Sequence, residues 1–143
     1  MLGLIWAAVS SVFLLSIILD NFSTRRGIKK SDIYGEYIID RSKFSGKQAN
    51  WQYANYRFAV TKENQLIFYQ TKGRTFTRAD TFDVDFVGGY LNDRIRFTQD
   101  SNRHHIISEN PTLYRKQFSF YYVFHSEKFG NVFFKKGKWK ELN

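Results

Sequence analysis

Three histidines, two carboxylates set one residue apart and a lysine-rich end are the groups in this chain whose types and spacing can do chemistry. His104 and His105 are adjacent, and His125 follows later. On a strand, neighbouring side chains leave opposite faces, so the pair does not converge on one metal, and no carboxylate stands at ligand spacing. These histidines read as polar strand residues. Asp83 and Asp85 share a strand face about 7 Å apart, a spacing that suits a cation or an acid/base pair. Alternating charge on a solvated sheet face writes the same letters, and that is the reading adopted. The stretch KKGKWK sets Lys135, Lys136, Lys138 and Lys140 around Trp139. Cations interleaved with an aromatic ring suit stacked single-stranded bases or the headgroup zone of a membrane.

Other chemistries find no support. The chain has no cysteine, so disulfides, thiolate metal sites and a cysteine nucleophile are excluded together. No nucleophile elbow, phosphate-cradling glycine loop or H-E-x-x-H is present, and Gly88-Gly89 reads as a turn. The expectation is a non-catalytic protein without metal or cofactor; a barrel hydrolase with dispersed acids and bases is the enzymatic alternative. Twenty-two lysines and arginines against thirteen acids give a formal charge of +9. Nearly all of that excess falls after residue 24, because only Asp20 is charged before it. Such a domain favours anionic partners, or is simply kept soluble by its charge.

The elements that must position these groups begin with an anchor. Leu2 to Leu19 (LGLIWAAVSSVFLLSIIL) is uncharged, and eighteen residues of helix reach about 27 Å, the lower end of what spans a bilayer. Its amino end carries no Lys or Arg and no A-x-A site follows, which favours an uncleaved anchor over a signal peptide. Residues 1–20 are thus expected to be a transmembrane helix, 21–33 a basic linker, and 34–143 one β-domain. Arg25, Arg26, Lys29 and Lys30 are the membrane-proximal cations, and by the positive-inside rule they place the domain in the cytoplasm. Many N-terminal anchors run the other way, so the periplasm is the alternative.

After Ile33 the pattern turns to period two. Strands are expected at Tyr34–Asp40, Trp51–Val60, Leu66–Thr71, Thr75–Val87, Arg94–Gln99, His104–Ser108, Gln117–His125 and Asn131–Lys136. Phe82, Val84 and Phe86 face one way and Thr81, Asp83 and Asp85 the other. Phe118, Phe120, Tyr122 and Phe124 form a core face, as do Val132 and Phe134. Tyr121, Val123 and Phe133 are left as an outer patch, and Ser126 falls in a turn. Eight short strands joined by short turns predict an antiparallel meander, closing as a small lipocalin-like barrel or folding as a β-sandwich.

The segments WQY (Trp51–Tyr53), NPTLYR (Asn110–Arg115), FSFYYVF (Phe118–Phe124) and FGNVFFKKGKW (Phe129–Trp139) resemble a group of uncharacterised small bacterial proteins with one N-terminal span and a β-rich domain. That resemblance implies a single-pass inner-membrane protein and brings no activity with it. A looser likeness to lipocalin-like barrels rests on G-E-Y (Gly35–Tyr37) and implies an interior able to take an apolar ligand, although the many Phe and Tyr argue for a filled one. The function expected is a binding module docking a protein partner or anionic lipid through Tyr121, Phe133, Trp139, Lys135 and Lys138. A small apolar-ligand barrel is the alternative, and nucleic acid is disfavoured for a tethered chain.

Overall fold

The computed structural model describes residues 2–25, 27–43, 47–88 and 93–143, with side chains described at 5–19, 27–43, 48–88 and 93–143. Helix α1 (Leu2–Arg25) is followed by the short α2 (Lys30–Ile33), then β1 (Gly35–Ile39), helix α3 (Lys47–Asn55), β2 (Tyr56–Val60), β3 (Gln65–Lys72), β4 (Thr75–Gly88) and β5 (Asp93–Phe97). A 3-10 turn at His105–Ile107 precedes β6 (Thr112–Arg115), β7 (Phe120–Ser126) and β8 (Gly130–Lys136).

The strands form one antiparallel sheet in the order β5-β4-β3-β2-β1-β8-β7-β6. Sheet pairing of β1 with both β2 and β8 closes the meander on one side, with Tyr37 opposite Phe58 and Lys136. The barrel is nearly closed. Its seam lies between β5 and β6, where residues 98–111 cross instead of a ladder. There Asn110 Oδ1 accepts from the Phe97 N–H at 2.9 Å, and Ile106 and Ile107 turn fully inward.

Alternation is what drives this closure. Tyr37, Phe58, Phe68, Val84, Ile95, Tyr122, Phe124 and Phe134 all point inward and are buried. Tyr37 and Phe58 stack at 4.5 Å, and Phe58 meets Phe134 edge-on at 5.0 Å. Aromatic side chains of this size occupy the interior of an eight-stranded barrel. Ile28 and Ile33 join the same core, so the stretch expected as a linker enters the fold before β1.

Several expectations are corrected. Trp51–Asn55 is helical, not strand; Ala49, Gln52, Tyr53 and Tyr56 are buried at helical spacing, a 3.6-residue signal hidden by the aromatic letters. His104–Ser108 is not a strand, because His104 caps the 3-10 turn by accepting from the Ile106 N–H; the strand on that side is β6. Phe118 precedes β7 and is 73% exposed, outside the core. Ser126 is buried at the end of β7, accepting from the backbone N–H groups of Lys128 and Phe129. Finally, no helix among the described residues is long and apolar enough to cross a membrane. What α1 shows is a run from Ile5 to Leu19 whose side chains are all exposed.

Candidate docking face

The outer surface of β6, β7 and β8 gathers three of the expected contact residues. The register sets Tyr121 between Tyr114 on β6 and Lys135 on β8, while Phe133 lies opposite Val123. Tyr114 and Tyr121 stack at 5.4 Å with their planes 13° apart, and Phe133 follows at 6.3 Å. Lys43 and Lys116 bring their ammonium groups to 4.6 and 5.5 Å from the centre of the Tyr121 ring. Val123, expected in the same patch, is covered by its neighbours.

Asp40 lies at the base of this face, just beyond β1, and is 1% exposed. Its Oδ1 accepts from Ser42 Oγ at 2.6 Å and from the Ser42 N–H at 3.2 Å. Lys135 Nζ is 3.6 Å from Oδ1, and Lys116 Nζ is 4.0 Å from Oδ2. Burial works to raise the pKa of this carboxyl, but the Ser42 hydrogen bonds and the Lys135 and Lys116 charges outweigh it. Asp40 is therefore held below the usual carboxylate range as a fixed anion.

A groove of about 750 Å³ opens beside Asp40. One wall is the β6–β7 hairpin from Arg115 to Phe120; Lys135 and Lys136 extend it, and Leu19, Gly27 and Ile28 line it from the N-terminal side. Lys136 is held by donating to the Asp32 carbonyl at 2.6 Å. Gly35 makes room for that arm: with φ at +133°, a Cβ there would sit 2.8 Å from Lys136 Cε. Four cations thus border the groove against the carboxylates of Asp32 and Asp40.

Trp139 and Lys138 belong elsewhere. They line a second groove of about 280 Å³ on the outer face of β1, β2 and β3. Trp139 is half-buried, stacks on Tyr53 at 5.9 Å and donates its Nε1–H to the Tyr53 carbonyl. Arg57 lies over its ring at 4.4 Å and over Phe76 at 5.1 Å. Of the cations expected to be membrane-proximal, Arg26 and the Arg25 side chain lie outside the described residues. Lys29 is exposed, while Lys30 sits 5.1 Å over the Phe86 ring.

The polar groups weighed for catalysis are dispersed. Asp83 and Asp85 are both exposed on β4, where Asp85 pairs with Arg96 at 3.2 Å. The His104 and His105 rings do come together, centroids 4.2 Å apart, because the 3-10 turn replaces the expected strand. His105 Nδ1 shares a 2.7 Å hydrogen bond with Ser126 Oγ. Burial, then the nearby His105, Lys128 and Arg78, push the pKa of His104 down to about 4, so it is neutral at pH 7. No group of three or more metal-ligating side chains forms among the described residues.

Strand alternation in the sequence places Tyr121, Phe133 and Lys135 on one outer face, and there they lie. Tyr114, Lys116, Lys43 and Asp40 join that face through long-range pairing, which alternation does not reveal; NPTLYR carried a strand signal in Leu113, Tyr114 and the turn proline before them. No protein-family model matches the chain, and neither does any curated protein or solved structure, so the face is read from its own chemistry.

Proposed function

We propose that this chain is a non-catalytic docking module, held at a membrane by α1, whose β6–β8 outer face and adjoining groove rest on an anionic lipid surface. The observation that carries the reading is the groove itself. Arg115, Lys116, Lys135 and Lys136 border it, and the exposed Phe118 stands at the hairpin tip beside them. Lysine and arginine next to an exposed aromatic ring match the headgroup zone, where each cation contributes about 1 kcal/mol of attraction. The side chains from Ile5 to Leu19 are exposed, and contact of this largely apolar run with a lipid surface would bury them. On this reading the cations after α1 favour a cytoplasmic domain at a bacterial inner membrane.

A protein partner with an acidic surface is the second reading, favoured by the Tyr114–Tyr121–Phe133 ladder, since aromatic residues are enriched at interfaces. Two other readings gain less. Tyr121 is already covered by Tyr114, Lys43 and Lys116, which opposes base stacking by a nucleic acid. The aromatic packing of the interior opposes an apolar ligand there.

The cysteine-free chain allows a direct test. The full chain, labelled with an environment-sensitive dye at Ser119→Cys or at Glu127→Cys, is placed in nanodiscs with and without phosphatidylglycerol. The two positions sit at opposite ends of β7. A blue shift at 119 that needs the anionic lipid and is reversed by salt is the expected result, with no change at 127. Equal spectra in both nanodiscs at position 119 would sink the lipid reading. The exposed Glu127→Cys also reports orientation through labelling of cells with an impermeant maleimide.

A further inference from the structure

Asp40 is the wrong residue for a simple polyanion site. A surface that only attracts phosphate gains nothing from a carboxylate among its lysines, since the negative charge weakens the pull. Yet Asp40 lines the groove, is 1% exposed, and lies within 4.0 Å of both Lys116 and Lys135. Its two oxygens are used unequally. Oδ1 takes both Ser42 hydrogen bonds, whereas the buried Oδ2, with Lys116 Nζ at 4.0 Å, has no hydrogen-bond partner among the described residues. A buried charged acceptor without a donor is costly, so such an atom points to a donor that arrives from outside.

Lys116, Lys135 and Lys136 supply the other half. Each ammonium has three donors; Lys136 spends one on the Asp32 carbonyl and keeps two for the groove. Lys116 and Lys135 are about half exposed, so their arms can swing toward a ligand and uncover Asp40. A volume of about 750 Å³ falls in the ordinary range for small-ligand sites. Ile28 and the hairpin tip at Phe118 add apolar contact at the same opening.

We infer that this groove seats one glycerophospholipid headgroup, taking its phosphodiester on Lys116, Lys135 and Lys136 and a hydroxyl or ammonium donor on Asp40 Oδ2. The inference rests on the proposed lipid docking and sharpens it from a charge-driven contact to selection among lipids of equal charge. Phosphatidylglycerol and phosphatidylmethanol provide the comparison. Both carry one negative charge on a phosphodiester, but only the first presents hydroxyl donors.

The full chain labelled at Ser119→Cys is reconstituted in neutral nanodiscs containing increasing fractions of either lipid. The dye response of otherwise native protein should reach its midpoint at about a tenfold lower fraction of phosphatidylglycerol, the scale expected for one hydrogen bond to a buried charge. Asp40→Asn should bring the two midpoints together with the phosphatidylmethanol curve preserved or moved to lower fractions. Equal midpoints in the native-Asp40 chain overturn the inference and leave charge-driven docking standing. No response to either lipid overturns both. The comparison in the native-Asp40 chain decides the matter even if the variant does not fold.

Discussion

Phe118→Ser separates what the hairpin tip does for the fold from what it does at a membrane. Phe118 is 73% exposed, so it contributes little to the barrel. An aromatic side chain presents roughly 200 Å², of which about 150 Å² is therefore open to water; at about 25 cal/mol per Å² its full burial in lipid is worth about 3.7 kcal/mol. Immersion of half the ring gives about 1.8 kcal/mol, or about a 20-fold change in partitioning. The assay isolates the barrel from α1. The buried core cluster runs from Ile28 to Phe134, so a chain of residues 27–143 keeps all of it. Sedimentation with phosphatidylglycerol vesicles should show Phe118→Ser binding about 10- to 30-fold more weakly, with the thermal midpoint unchanged. Binding equal to that of the unsubstituted chain refutes insertion of the tip. Weakened binding together with a lowered thermal midpoint refutes the premise that the ring is outside the core.

Trp139→Ala should behave in the opposite way, losing about 2–4 kcal/mol in urea denaturation as the Tyr53 stack and Arg57 contact disappear, while the lipid response at Ser119→Cys is kept. The two buried tyrosine hydroxyls also predict a contrast. Tyr37→Phe deletes a donor to the Ile33 carbonyl and should cost about 1 kcal/mol, whereas the Tyr122 hydroxyl has no partner among the described residues and Tyr122→Phe should be neutral or stabilising by about 1 kcal/mol. Acid should weaken the fold before the carboxylates titrate. The unfolded chain protonates His104 near 6.5 while the folded chain resists until about 4, so stability is full above that window and falls as pH drops through it. The loss is of order 1–2 kcal/mol, allowing for screening at a partly exposed ring. His104→Asn, which preserves the capping acceptor, should leave only the smaller slope from His105, whose pKa burial and Lys128 also lower. Denaturant titrations across that pH range measure both slopes.

The parts of this molecule that were legible in the sequence are those set by neighbours along the chain. Phe82, Val84 and Phe86 alternate against exposed partners, and Tyr122 and Phe124 face inward while Tyr121 does not, because a pleated strand admits no other arrangement. Phe118 shares their spacing but stands two residues ahead of the strand, where period two no longer applies. Trp51 was misread because a helix and a strand both accept an aromatic-rich stretch; the deciding pattern needed Ala49, Gln52, Tyr53 and Tyr56 taken together. The candidate docking face was only half legible. Tyr121, Phe133 and Lys135 come from one hairpin, whereas Asp40, Lys43 and Tyr114 arrive through the β1–β8 and β6–β7 registers. No local period encodes those registers. Trp139 and Lys138 were grouped with the site by proximity in sequence, but the chain after β8 turns to the opposite flank of β1 and is held there by Tyr53.

The pairing of β1 with β8 also imposes an order of events on synthesis. β2 to β5 can zip up as successive hairpins, each closing a short loop. β1 has only β2 beside it until Phe134, Lys135 and Lys136 are made, because its other edge waits for them. A half-built sheet thus keeps that edge open until β8 has left the ribosome. Loss of β8 would strand β1 and β7 as two adjacent unpaired edges, and so convert a nearly closed barrel into a template for aggregation. Completion of the groove beside Asp40, which needs Lys135 and Lys136, coincides with the removal of that hazard.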